Sequence, residues 1–212
     1  MKKPHFDQAA ENLFSIATAW HEASHTIVYL YYLKKVDRVH IISDQDQYGL
    51  TLITAFDPSE SDDKILTKML ILQELQAIYA GLIGEKIYYK EICGLDHFPM
   101  HLRSGSSSDI REASRLIQRY RLSTPGRDRY QLKIQIQKDA KKVLQDNWGD
   151  VRLIAHALCQ TKDLSYQAIK DILTKKSKNR DVWKRKFKMM SFLYASEEIT
   201  FEQIKQGLAE VR

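Results

Sequence analysis

Two cysteines, Cys93 and Cys159, are all the thiols in this chain of 212 residues. That is too few for a disulfide framework, so a reducing compartment is the expected setting. They form no C-x-x-C pair and read as free thiols. Glycine and proline are scarce too, eight and four residues. With so few helix breakers the chain is expected to be mainly α-helical. No apolar run approaches the ~20 residues that cross a bilayer. The opening Met1-Lys2-Lys3-Pro4-His5 has basic residues but no apolar stretch behind them, so a secretory signal is not expected and a cytoplasmic location is. A G-x-x-x-x-G-K-[ST] phosphate loop is also missing. These residues by themselves are therefore not expected to run on ATP.

What is present is an ordinary globular composition, 43% hydrophobic and 28% charged, enough for one sizeable core. The net charge of +6 is concentrated in one place. Lys175 to Lys188 (KKSKNRDVWKRKFK) carries eight basic residues against one aspartate, so the rest of the chain is close to neutral. Trp183, Phe187, Met190 and Tyr194 recur there at helical spacing, between Lys184, Arg185, Lys186 and Lys188. This reads as a solvated helix docking its aromatic side on the body. The sharper alternative is a surface for an anionic membrane or a nucleic acid. The chain is accordingly divided into a domain over 1–174 and a basic helical extension over 175–212, with a short final helix from Thr200.

The motif that organises the chain is His21-Glu22-Ala23-Ser24-His25. Apolar residues from Ala9 to Leu30 recur every three or four positions, which predicts one helix over about 7–33. Two histidines four apart on a helix lie on one face, where both imidazoles reach one zinc ion. The glutamate beside the first can take a proton from water held there. Strands follow at Val36–Ile42 and Tyr48–Thr54, joined by a turn at 44–47, and together they form a hairpin. An exposed strand edge beside a metal suits an extended peptide, held by main-chain hydrogen bonds. After a polar loop at 57–63, a helix is expected over about 62–89. Its segment Tyr79-Ala-Gly-Leu-Ile-Gly-Glu85 sets small residues beside a carboxylate. Glu85 is a metal ligand, a partner of one, or part of an ordinary packed helix end. Residues 91–108 are loop-like, and Pro99 between His97 and His101 argues against a helical ligand pair there. Ser106-Ser107-Ser108 opens the next helix, and on spacing alone Asp109 with Glu112 reads as a capping box.

Three separated pieces resemble the peptidase domain of FtsH-type membrane AAA proteases. Ala19-Trp-His-Glu-Ala-Ser-His-Thr-Ile-Val28 is similar to that family's AYHEAGHAxV. Tyr79 to Glu85 resembles its GGRAAEE, and Gly105-Ser-Ser-Ser-Asp-Ile110 its GAxNDL. The strand pair, with Tyr48-Gly49 at an LG position, and the later stretches Ala140–Leu144 and Leu164–Leu173 resemble it as well, so the likeness runs over about residues 8–174. It implies a mainly α zinc-metallopeptidase domain with a small hairpin or sheet after the motif helix. It implies His21, His25 and Asp109 as zinc ligands and Glu22 as general base. Glu85 becomes a partner of a ligand, or the alternative ligand. The activity implied is zinc-dependent endopeptidase cleavage of unfolded or flexible polypeptides, ATP-independent by itself. A separate unfoldase or adaptor and a homo-oligomer are expected partners. The sequence departs from the family at Ser24, where glycine is usual, and at Ser107-Ser108, where asparagine precedes the aspartate. The loop 94–103 reads as an insertion. The competing expectation is a catalytically silent or very narrow-range binding or regulatory protein, which keeps the fold and uses its basic helix to engage a partner, a nucleic acid or a membrane surface.

Overall fold

Every residue from Ala17 to Leu30 is buried, so the helix that carries the motif is the axis on which the other elements pack. The computed structural model describes residues 8–41, 49–54, 63–95, 104–123 and 126–195. In chain order the elements are α1 (Gln8–Tyr31), β1 (Lys35–His40), β2 (Leu50–Thr54), α2 (Lys64–Glu91), α3 (Ser104–Arg119), α4 (Arg127–Asp146), α5 (Trp148–Thr161), β3 (Asp163–Ser165), α6 (Tyr166–Lys176) and α7 (Arg180–Leu193). The mainly helical expectation holds. The turn at 44–47, the polar stretch at 57–62, most of the 94–103 loop with His97 and His101, and the segment from Thr200 lie outside the described residues. Among those described, no helix is long and apolar enough to cross a membrane, and both cysteines are free.

α1 packs between α2 and α5. Trp20 sets its rotation, with ring centroids 5.0 Å from both Tyr88 of α2 and Trp148 of α5. Each such pair contributes about 0.5–1.5 kcal/mol beyond area burial. α1 ends where Leu33 takes a left-handed conformation, φ 60°, and the chain turns into β1. α2 starts on Asp63, whose carboxylate accepts from the Ile65 and Leu66 amides at 2.9 and 3.0 Å. That satisfies two of the helix's four unpaired amides.

The sheet is antiparallel with order β2-β1-β3. The hairpin is there, with Val36 opposite Ile53 and His40 opposite Leu50. An irregularity falls between Val36 and Arg38, and Asp37 there accepts from the Thr54 hydroxyl at 2.6 Å. The third strand was not expected. Leu164, read as the start of a late helix, pairs instead with Val39 of β1, and Ser165 caps α6 from outside. A three-residue strand is too short to leave a period in the sequence. β2 forms one edge, with Leu50 and Leu52 exposed.

The C-terminal helix docks its aromatic side on the body, the bland reading of that segment. Trp183, Phe187 and Met190 are each 1% exposed. The Trp183 indole donates to Asp150 Oδ2 at 2.9 Å. The Lys35 amide donates to the Tyr194 hydroxyl at 3.2 Å. Lys184, Arg185 and Lys188 remain exposed. The boundary placed at 174/175 falls inside α6, and α7 shares one hydrophobic core with α1 and α2.

One lysine of the basic run is buried. Lys186 lies under the end of α1, donating to the Tyr31 carbonyl at 2.8 Å, and burial pushes its pKa down to about 8. A base depressed in the folded state stabilises above its unfolded value of ~10.4 and loses that contribution as pH falls toward 8. The melting temperature of the wild type, relative to Lys186→Met, is therefore expected to rise between pH 7.5 and 10 by several degrees, at roughly 2–4 °C per kcal/mol. Parallel melting curves for the two proteins over that range would contradict it.

Candidate metal centre

Four elements build the site. α1 supplies His21, Glu22 and His25, α2 supplies Ala77, Gly81 and Glu85, α3 supplies Asp109, and β2 with the residue before it supplies Thr51 and Gly49. His21 Nε2, His25 Nε2 and Asp109 Oδ2 form a triangle with edges of 2.9, 3.0 and 3.3 Å. All are described residues capable of holding one metal ion. A tetrahedral ion with bonds of about 2.1 Å needs neighbouring ligand atoms ~3.4 Å apart.

The outer ring nitrogens fix which atoms face the centre. His25 Nδ1 lies 2.7 Å from the Ala77 carbonyl, and His21 Nδ1 lies 2.5 Å from Glu85 Oε1. A carbonyl only accepts, so His25 carries its proton on Nδ1. The Glu85 carboxylate assigns the same tautomer to His21. Both Nε2 lone pairs then point into the triangle. There they meet Asp109 Oδ2, a buried oxygen that receives no hydrogen bond. Three electron-pair donors converging at this distance repel one another unless a cation sits among them. The donor set, two imidazoles and one carboxylate, suits zinc.

The space for that cation comes from Gly81. A Cβ there would lie 2.5 Å from both His21 Nε2 and His25 Nε2, which no real Cβ approaches. Gly84, one turn on, does the same for the helix contact. Its Cβ would lie 1.8 Å from Ser24 Oγ. The departure at Ser24 is thereby accommodated, because Ser24 turns its hydroxyl back to the Trp20 carbonyl at 2.7 Å and fits against a bare backbone.

In the absence of a metal the same charges draw protons to the two rings. Burial alone would lower both imidazoles. The carboxylates of Asp109 and Glu85 outweigh it at His21, which is raised well above its ordinary value. Asp109 outweighs it at His25, despite the opposing charge of His21. Burial would raise the Asp109 carboxyl, but His25 and His21 hold it far below the usual carboxylate range. The centre favours positive charge.

Of the residues singled out from the sequence, His21, His25 and Asp109 converge. Glu85 joins through His21 and contributes no oxygen to the triangle. Asp109 does not cap its helix, since α3 already begins at Ser104. Glu22 is buried, 6% exposed, and its Oε2 accepts from the Thr51 hydroxyl at 2.6 Å. Thr51 and the Ala77 carbonyl escaped the sequence reading. Thr51 is one of two threonines in β2, with nothing local to single it out, and a backbone group leaves no sign at all.

The family model described as Peptidase family M41 matches residues 11–206, a span that includes every residue of this site. No curated protein matches the chain.

Proposed function

Because this chain belongs to peptidase family M41, we propose that it is a zinc-dependent endopeptidase that cleaves unfolded or flexible polypeptides. The observation that supports this reading most is the triangle of His21 Nε2, His25 Nε2 and Asp109 Oδ2, with its unbonded buried oxygen and the glycine that leaves it open. These three residues would hold the ion. When bound, zinc supplies a Lewis acid that polarises a carbonyl and acidifies water. Glu85 and the Ala77 carbonyl orient the two imidazoles by accepting hydrogen bonds from their Nδ1–H groups. Glu22 takes a proton from the water that attacks the scissile carbonyl and delivers it to the departing amine. The free edge of β2 would receive the extended substrate, with Leu50 and Leu52 exposed along it.

The test is metal content together with casein hydrolysis, before and after chelation. Zinc is expected to copurify, activity to vanish with the metal, and zinc to restore it. A zinc-loaded protein that leaves casein and unfolded peptides uncut would favour the silent binding protein instead. A second expectation concerns Glu85. Replacing its charge by a neutral amide in Glu85→Gln should weaken zinc binding about 10–100-fold, the usual effect of losing a partner of a ligating histidine. Competition against a chromophoric chelator measures this, and wild-type affinity would deny Glu85 that role.

A further inference from the structure

We propose that Thr51 is the positioning residue for Glu22, so that the strand edge at the site also aims its base. This rests on the reading of Glu22 as general base. A glutamate on α1 has three side-chain torsions to fix, and neither imidazole of the triangle fixes them. Two contacts on its carboxylate come from the strand side. Oε2 receives the Thr51 hydroxyl at 2.6 Å, a distance typical of a charge-assisted O–H···O bond. The same hydroxyl oxygen lies 3.5 Å from the Glu22 carbonyl, so it sits over the helix backbone at that residue.

The other carboxylate oxygen is bounded by Gly49. A Cβ at residue 49 would lie 2.6 Å from Glu22 Oε1, 2.7 Å from Glu22 Cγ and 2.8 Å from the Thr18 methyl. Residues two apart on extended chain face the same side. Gly49 and Thr51 thus form one surface, bare at the first position and donating at the second, with the Glu22 carboxylate laid against it. Glu22 is almost fully buried, so water cannot replace the threonine without opening this contact. The consequence is mechanical. β2 is an edge strand, and whatever displaces or steadies it moves the atom that holds the base.

The experiment compares Thr51→Val, which keeps the side-chain shape and removes the donor, with Thr51→Ser, which keeps the donor. On an unfolded peptide, Thr51→Val should lose kcat about 10–100-fold, with KM within about twofold, because a reacting group misplaced by ~1 Å costs that much. Thr51→Ser should recover most of the loss, and both variants should bind zinc as the wild type does. Crystal structures of the metal-free wild type and Thr51→Val supply a readout independent of turnover. The Glu22 carboxylate should have one conformer in the first and several in the second. Wild-type kcat in Thr51→Val, equal losses in both variants, a loss confined to KM, or an unchanged single carboxylate conformer would each overturn the proposal. A zinc-loaded wild type with no turnover would defeat the peptidase reading instead, and the crystallographic comparison alone would then decide the role of Thr51.

Discussion

Glu22→Gln is expected to lower kcat on casein by about 10²–10⁴-fold, the usual contribution of a general base, while zinc content stays at the wild-type level. The two halves of this expectation come from different atoms. Glu22 contributes nothing to the triangle, which His21, His25 and Asp109 make alone. The carboxamide has the same shape as the carboxylate. It still offers an oxygen to the Thr51 hydroxyl and still lies against the bare backbone of Gly49. What it loses is the ability to carry a proton. A variant that cleaves casein as fast as the wild type would refute the role of Glu22. A variant that loses zinc would show instead that the charge of Glu22 is needed to hold the ion.

The contrast between His21 and Asp109 explains what could be read in advance. His21, Glu22 and His25 lie within one turn of one helix, so helical geometry alone puts them on one face. The apolar residues recurring every three or four positions from Ala9 to Leu30 marked that helix, although every residue from Ala17 to Leu30 is buried. Asp109 is another matter. Nothing local distinguishes a carboxylate that caps a helix from one that faces a metal. Its role depends on where α3 begins and on how α3 packs against α2, both tertiary facts. Only resemblance pointed to it. Glu85 stood between two roles for the same reason, and its 2.5 Å approach to His21 Nδ1 is what separates them. β3 was missed because three residues carry no period. The docking of α7 was legible, because Trp183, Phe187 and Met190 repeat at helical spacing and an aromatic stripe of that kind must be covered.

The opposite behaviour of two glycines gives the second large effect. Gly81→Ala is expected to abolish stoichiometric zinc binding and, with it, more than 99% of casein hydrolysis. Alanine is the better helix former by about 1 kcal/mol, so an ordinary glycine in a helix should gain from this change. Gly149, near the start of α5, is such a position, because nothing lies within 4 Å of an added Cβ. Gly149→Ala should raise the melting temperature by about 1–4 °C and leave zinc content alone. At Gly81 the new methyl group meets both ligating nitrogens at 2.5 Å. The rings cannot simply swing away. Their outer nitrogens are tied to Glu85 and to the Ala77 carbonyl, which lie on the same helix as the glycine. Moving α2 outward to admit the methyl group carries those two anchors with it. It also opens the Gly84–Ser24 contact and the stacking of Tyr88 on Trp20. Overpacking of this kind costs about 1–3 kcal/mol even where the surroundings can yield. Here the methyl group also occupies the space between the Nε2 atoms that the ion needs. Zinc content by mass spectrometry under native conditions, with melting curves for both variants, checks the pair. A Gly81→Ala protein that keeps its zinc would mean that the ion does not sit between His21 and His25 on the α2 side, and the triangle would have to be filled from elsewhere.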